Sequence, residues 1–180
     1  MTVKGECQSS QCIALYYGAF DEGEKDAATK VLVDLIHKKG DRFDCGFIGM
    51  HCIFHVLSDC GYDELAYKLI TRKGYPSYAH LIDIGETSLV EKFMPEPKDA
   101  ASHNHHFLGD VARWFTRAIG GLTVIDSKTV RIEKCRIASV DSASAWYELP
   151  TGKVTVKWQR ENGEIRLDYS APEGVTVELI

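Results

Sequence analysis

The stretch Lys153–Ser170, KVTVKWQRENGEIRLDYS, decides how the second half of the chain folds. Apolar residues alternate with polar residues on both sides of Asn162-Gly163, and a period of two is typical of strands with one buried face. Asn-Gly is the strongest short hairpin signal, because both positions of the favoured turn need a positive φ. The stretch therefore predicts two antiparallel strands joined by a tight turn.

More strands are predicted on both sides of this hairpin. Residues 175–179 alternate in the same way after a Pro-Glu-Gly turn, and residues 136–149 supply at least one earlier strand that a Pro-Thr-Gly turn closes. From about Leu122 onward the apolar period is two. We therefore expect residues 122–180 to form a small antiparallel β-sandwich.

Before Leu122 the apolar residues recur with a helical period of 3.6. Stops such as Gly18, Gly40 and Gly61 follow several of these patterns. The predicted helices are Gln8–Gly18 with Ser9 or Ser10 as N-cap, Asp26–Lys39, a largely buried helix within residues 44–61, Tyr62–Ile70, Ser77–Ile84 with Ser77 as N-cap, and Leu108–Ile119. The fold class is therefore α+β, with helical hairpins over residues 1–121 that would suit a toroid or a solenoid.

The composition is that of a globular protein. The 180 residues are 44% hydrophobic and 26% charged, enough for one full core or two small ones. A net charge of −5 argues against a nucleic acid or an anionic membrane as partner, because both need a basic face. The chain has no apolar run as long as a membrane span, and Met1–Ser10 lacks the apolar core of a signal peptide. We expect a cytoplasmic protein with a neutral or sugar-like ligand.

The cysteines predict neither disulfides nor a zinc site. The chain has six, mostly inside apolar helical patterns, and no C-x-x-C pair. We interpret them as reduced and mostly buried small hydrophobic residues, and we expect no cofactor. The six are Cys7, Cys12, Cys45, Cys52, Cys60 and Cys135.

A polar loop, Gly85–His106, is the predicted place for chemistry, because such loops between rigid elements often carry binding groups. Glu91 follows small hydroxyl residues that could orient a catalytic carboxylate. Local features do not separate Glu91 from Glu86 or Glu96, and an exposed loop glutamate is the simpler interpretation.

The densest polar group of the chain is His103, Asn104, His105 and His106. Imidazoles and amides hydrogen-bond sugar hydroxyls, and a metal is the competing use. A second histidine pair, His51 and His55, has the i, i+4 spacing of a zinc-binding helix face.

That second pair lacks the rest of a zinc motif. Cys52 stands where a metalloprotease would have glutamate, and the pattern offers no open carboxylate ligand beside the two histidines. We interpret His51 and His55 as ordinary helix histidines, so that no metal site is predicted.

The aromatic residues divide into core and pocket candidates. Trp114, Trp146 and Trp158 could form a stacking platform for a sugar, although core packing is favoured for Trp114 and Trp158 by their positions. Tyr75, Tyr78 and Phe93 lie beside loop breaks and are better placed to line a pocket. The chain has no Gly-rich phosphate loop and no nucleophile elbow, so the sequence does not support a kinase, NTPase or serine-hydrolase function.

Five segments in order resemble the C-terminal part of bacterial α-L-rhamnosidases of glycoside hydrolase family 78. They are SSQCIALYYGAF, CGFIGMHCIFHVLSDCGYDELAYKLI, YPSYAHLIDIGETSLVEKF, SHNHHFLGDVARWFTRAIGGL and WQRENGEIRLDYSAPEGVTVELI. The resemblance implies the second half of an α/α toroid of paired helices, residues 1–121, followed by the C-terminal β-sandwich, residues 122–180.

The resemblance also implies an inverting mechanism, in which one carboxyl protonates the leaving oxygen and a second, about 6.5–9.5 Å away, activates water. Glu91 matches the general base, and His105 matches the histidine of an Asn-His pair that contacts the sugar. Asn104, Tyr78 and Phe93 are the further substrate-binding candidates.

Three departures from the family pattern matter. The general acid belongs to the half of the toroid that precedes this region in the family, Val90 replaces the tryptophan before the base, and Glu86 replaces an alanine. Losing leaving-group protonation alone would lower the rate by about 10²- to 10⁴-fold. Val90 removes one aromatic wall of the sugar pocket, and Glu86 adds a negative charge near the base.

Two hypotheses follow. The chain is either the base-bearing piece of a rhamnosidase-like hydrolase for terminal α-L-rhamnosides, inactive alone, or a non-catalytic carbohydrate-binding or structural remnant of the same fold. In both, the ligand is a rhamnose-type sugar or glycoside, and neither a nucleic acid nor a membrane is a partner. Helix faces exposed by a half toroid predict a homo-oligomer or a companion chain.

Overall fold

A computed structural model describes residues 3–96, 98 and 102–180. The chain divides into two compact units, Met1–Val111 and Ala112–Ile180. The first unit is helical and the second contains the strands. The division at residue 121 that we expected from the sequence stays a prediction.

Every predicted helix is present. The helices are α1 Gln8–Tyr16, a 3₁₀ turn Glu22–Glu24, α2 Lys25–Lys38, α3 Phe47–Asp59, α4 Asp63–Thr71, α5 Tyr78–Asp83, a 3₁₀ turn His106–Leu108, and α6 Asp110–Trp114, which continues as a π-helical turn Phe115–Ile119. Among the described residues, no helix has the length and apolarity that crossing a membrane requires.

The α3 helix forms the centre of the helical unit, as its apolar pattern predicts. Its buried hydrophobic residues are Met50, Cys52, Ile53, Phe54, Val56 and Leu57. Gly49 permits the close packing of α1 on α3, because a Cβ atom there would lie 2.9 Å from Ser9 Oγ and 3.0 Å from Cys45 Cβ. The backbone of α3 therefore approaches its neighbours where it carries no side chain.

The predicted N-cap of α1, Ser9 or Ser10, was wrong, although the helix begins within the predicted range. Cys7 occupies the N-cap position, and Ser9 Oγ accepts a hydrogen bond from Gly46 N at 3.2 Å instead of capping the helix. The helix begins at Gln8, whose buried side chain donates to Arg42 O at 2.9 Å and accepts from Asp44 N at 3.0 Å. Contacts with a segment distant in sequence thus fix an N-cap that local patterns do not reveal.

The second unit contains two three-stranded sheets, ordered β1-β2-β6 and β3-β4-β5. Their strands are β1 Leu122–Val124, β2 Thr129–Ile132, β3 Ser142–Leu149, β4 Gly152–Glu161, β5 Glu164–Ser170 and β6 Thr176–Leu179. Both sheets contribute to one buried cluster, made of Leu122, Val130, Ile132, Leu149, Val154 and Val156. The α+β class and the sandwich are confirmed.

The hairpin between β4 and β5 has the predicted turn. Asn162 and Gly163 adopt φ values of 52° and 86°, and Glu161 pairs with Glu164 across them. Two consecutive positive φ values are the signature of the type I′ turn that matches strand twist.

One strand differs from the antiparallel expectation. The β6 strand pairs parallel with β2, with Val130 opposite Val177. Alternation in the sequence fixes which side chains face the core but carries no information about the direction of the neighbouring strand. The β1-β2-β6 sheet is therefore mixed.

Candidate functional site

The two ends of the polar loop Gly85–His106 are hydrogen-bonded to each other through their main chains. His105 N donates to Leu89 O at 2.7 Å, and Glu91 N donates to Ser102 O at 3.2 Å. Between the two bonds Val90 is fully buried and anchors the segment in the core. The backbone of the predicted base, Glu91, is therefore held in place although it lies in an irregular segment.

Glu86, the acidic replacement near Glu91, is paired with a histidine. His103 Nδ1 lies 3.0 Å and 3.1 Å from the two carboxylate oxygens of Glu86. The Glu86 side chain is only 9% exposed, whereas that of His103 is 53% exposed. The extra negative charge that the sequence places in the loop is therefore accompanied by its own polar partner.

Glu91 lines a pocket of about 430 Å³. The same pocket is lined by the rings of Phe43, Phe47, Tyr75 and Phe93. This size lies within the range of small-molecule sites, and aromatic rings beside a carboxylate suit the apolar faces and hydroxyl groups of a sugar.

Phe93 is fixed by other aromatic rings. It stacks on Phe43 with a centroid distance of 5.5 Å and an interplanar angle of 4°, and Tyr78 meets it edge-on at 5.1 Å. The Tyr78 hydroxyl donates to Leu108 O at 2.9 Å. Burial, together with the nearby Asp110 carboxylate, raises the pKa of Tyr78 above its ordinary value, so the phenol stays protonated. Tyr78 thus supports the pocket wall from behind.

His105 caps the 3₁₀ turn His106–Leu108. Its Nδ1 accepts a hydrogen bond from Phe107 N at 3.2 Å, so the neutral ring carries its proton on Nε2 and can donate there. The ring contacts Phe107 at a centroid distance of 3.9 Å, and Phe107 stacks on the pocket residue Phe47 at 4.2 Å. The neighbouring Asn104 is exposed.

His51 and His55 share a carboxylate that the sequence pattern did not reveal. His55 Nε2 lies 2.6 Å from Asp110 Oδ2, and His51 Nδ1 lies 3.3 Å from Asp110 Oδ1. Asp110 lies 55 residues after His55, in the first turn of α6. An acidic residue at the start of a helix was the only sign of it in the sequence. Among the described residues, no group of three or more His, Cys, Asp or Glu side chains is arranged to hold a metal ion.

The three tryptophans divide as their positions predict. Trp114 and Trp158 are buried, and Trp158 Nε1 donates to Ile119 O at 2.7 Å. Trp146 is 61% exposed, and Lys153 Nζ lies 4.3 Å from the centroid of its ring. Core packing is therefore confirmed for Trp114 and Trp158.

The six cysteines, all within the described residues, are free thiols. Cys12, Cys52 and Cys135 are buried and the other three are half-buried. Burial raises the pKa of Cys52 to about 11, so its unreactive thiol form dominates at neutral pH. Half of the cysteines are therefore buried, fewer than the sequence pattern led us to expect, and their reduced state stays a prediction.

Models of known protein families match both parts of the chain. Residues 1–119 match the bacterial alpha-L-rhamnosidase 6 hairpin glycosidase domain, and residues 128–180 match the bacterial alpha-L-rhamnosidase C-terminal domain. The chain belongs to the bacterial α-L-rhamnosidase family. The resemblance inferred from five sequence segments is confirmed, in the same order along the chain.

Individual proteins similar in sequence belong to the same family. An alpha-L-rhamnosidase of Streptomyces avermitilis is 30% identical over 98% of this chain, which covers 18% of that protein. One from Formosa agariphila is 28% identical over 96% of this chain and 20% of its own length. This rhamnosidase-family chain therefore spans about a fifth of the length of these relatives.

Solved structures share the fold. The Streptomyces avermitilis alpha-L-rhamnosidase complexed with L-rhamnose superposes with a TM-score of 0.90, at 30% identity over 98% of this chain and 18% of that one. The Dictyoglumus thermophilum alpha-L-rhamnosidase gives a TM-score of 0.88, at 28% identity over 98% of this chain and 22% of that one. The fold described above is therefore that of the corresponding region in α-L-rhamnosidases.

Proposed function

We propose that this chain carries the general-base side of an inverting glycosidase site for terminal α-L-rhamnosides, with Glu91 as the residue that activates water. One observation carries the proposal. Glu91, the residue that matches the base of the family, lines an aromatic pocket of about 430 Å³ and has a main chain fixed by Ser102.

In this proposal the remaining sugar contacts come from the pocket wall and from side chains outside it, since among Phe93, Tyr78, His105 and Asn104 only Phe93 lines the pocket. Phe93 forms an apolar wall for the ring, with Tyr78 behind it, and His105 Nε2 donates to a sugar hydroxyl. Asn104 offers an exposed amide two residues from Ser102, which accepts the hydrogen bond from Glu91 N. Val90 is fully buried and does not line the pocket, whose aromatic residues are Phe43, Phe47, Tyr75 and Phe93.

An inverting reaction needs a second carboxyl to protonate the leaving oxygen. Among the described residues that line this pocket, the other carboxylate is Asp44, which forms an ion pair with Lys39 Nζ at 2.7 Å. We assign no acid role to Asp44, because its oxygen already serves that ion pair. The acid then comes from a longer chain or a companion chain, and the 180 residues alone are inactive.

A chimera tests the role of Glu91. This chain would replace the matching fifth of the Streptomyces avermitilis relative, which supplies the rest of that enzyme, and hydrolysis of an aryl α-L-rhamnoside would be measured. We expect Glu91→Gln to lower kcat by about 10²- to 10⁴-fold, the usual contribution of a general base. The control Glu96→Gln, an exposed glutamate of the same loop, should change kcat less than twofold. Equal effects of the two variants would refute the assignment.

Two further measurements support the chimera. The first sugar anomer released, observed by proton NMR, should be the β-anomer, because inversion at an α-linked centre produces it. Calorimetry of the isolated chain with L-rhamnose separates the binding-remnant alternative: saturable binding in a chain whose chimera is inactive would favour a non-catalytic module. His105→Ala should weaken that binding if the histidine contacts the sugar.

A further inference from the structure

A second pocket, of about 470 Å³, lies entirely within the β-containing unit. Its lining includes three arginines, Arg113, Arg117 and Arg131, and one glutamate, Glu133, among the described residues. Arg131 is paired with Glu178, and the remaining Arg113 and Arg117 still outnumber Glu133, so positive charge is in excess here although the chain as a whole has a net charge of −5. Three arginines around one concave site need a physical explanation.

Regular elements place these arginines. Arg113, Thr116 and Arg117 are spaced i, i+3, i+4, so they share one face of the helical segment that starts at Asp110. On the sheet, Thr123 of β1 is the register partner of Arg131 of β2, so the two side chains leave the same face. Helix face and sheet face both line the pocket.

The junction between helix and sheet is unusually close. The helix ends in a π-type hydrogen bond from Gly120 N to Phe115 O at 2.8 Å. At Gly121, with φ of +75°, a Cβ atom would lie only 2.4 Å from Glu133 O. Glycine alone fits there, and it lets the helix end approach Glu133, the residue that follows the strand carrying Arg131. Single π turns of this kind occur frequently at functional sites.

The Arg131 guanidinium is oriented in advance. Its Nε and Nη2 donate to Glu178 Oε2 on β6 at 3.0 Å and 2.9 Å. Nη1 takes no part in that pair. A guanidinium held in one orientation recognises a carboxylate or phosphate with less loss of conformational freedom than a mobile lysine would.

From these observations we infer that the pocket binds a small ligand bearing an oxyanion, either the carboxylate of an acidic sugar or a phosphate ester. Arg113, Arg117 and Arg131 bind the anionic group. Thr116, Thr123 and Tyr147 line the same space. Their hydroxyls interact with the neutral part of the ligand, that of Thr116 as an acceptor, because it already donates to Ala112 O at 3.0 Å. This inference is independent of the role proposed for Glu91.

Calorimetric titration of the 180-residue chain tests the ligand class. The probes are D-glucuronate, D-glucose 6-phosphate and neutral D-glucose. We expect saturable binding of at least one acidic sugar and none of glucose. Binding of glucuronate alone identifies a carboxylate ligand, and binding of the phosphate ester alone identifies a phosphate ligand. No saturable binding of either acidic sugar at tens of millimolar, or equal binding of glucose, overturns the inference.

A pair of arginine variants locates the site. Arg113→Gln removes one exposed guanidinium of the pocket, and Arg166→Gln removes an exposed guanidinium of β5 outside it. The pocket variant should weaken binding of the acidic sugar about tenfold, as expected for one charge-assisted hydrogen bond, and the control less than twofold. Equal weakening in both variants would show general charge attraction and refute the pocket as the site.

Discussion

Both compact units have apolar cores, but the helical unit depends more on buried polar contacts between segments distant in sequence. In the β-containing unit, apolar side chains alternate along strands and meet in one core cluster whose members follow the sequence pattern. In the helical unit, buried polar side chains join segments that are far apart in sequence, as Gln8 joins residues 42–44 and His55 joins Asp110. Alternating apolar residues identify the strands of a sheet from the local sequence. The buried polar side chains of the helices instead pair with distant residues that no short sequence pattern reveals.

The largest effect on stability is expected from a buried tryptophan in the β-containing unit. Trp158→Ala should lower the free energy of unfolding by about 3–5 kcal/mol, because it leaves a large cavity and removes a hydrogen bond to Ile119 O. The matched Trp146→Ala should change it by less than about 1 kcal/mol, because that ring is exposed and its main contact is Lys153. Urea denaturation measures both, and similar losses would contradict the assigned faces of the sheet.

In the helical unit, the polar contact between α3 and the start of α6 should matter to a smaller extent. Asp110→Asn keeps the shape of the side chain but removes the charge that faces His55 at 2.6 Å. We expect a loss of about 1–3 kcal/mol in the free energy of unfolding, because His55 is buried and loses its charge-assisted bond. Asp83→Asn, at the exposed end of α5, is the control. A neutral result for Asp110→Asn would show that the helices need no such contact.

A local contact in the same unit gives the smallest expected effect. Ser77 Oγ accepts a hydrogen bond from His80 N at 3.0 Å and caps α5. Ser77→Ala should destabilise the unit by about 1 kcal/mol, the usual value of an N-cap. Ser139→Ala, at an exposed position, should have no measurable effect. If Ser77→Ala proved as costly as Asp110→Asn, local and distant contacts would not differ as we describe.

The sequence predicted the features that depend on neighbouring residues. The Asn162-Gly163 turn, the Ser77 cap and the burial of Trp158 follow from spacing and residue type, and the structure has all three. The family resemblance, which uses the order of five segments, identified the relationship that composition and periodicity could not.

The features that were missed depend on tertiary structure. The parallel pairing of β6 and the N-cap of α1 are decided by segments distant in sequence. The carboxylate of Asp110 reaches His55 only after folding, so two histidines were visible in the pattern without their acidic partner. Glu86 and His103 likewise pair from opposite ends of a loop, and the sequence of that loop has no regular period from which the pair could be predicted.

The main-chain hydrogen bonds that join Leu89 to His105 and Glu91 to Ser102 make the position of the Glu91 backbone independent of the length of the loop between them. These bonds hold the backbone of Glu91, and the entropy cost of closing a loop between two such bonds changes slowly with its length. Doubling such a loop costs only about 0.6 kcal/mol. A change in the number of residues between Glu91 and Ser102 is therefore expected to leave the backbone of Glu91 where these hydrogen bonds hold it.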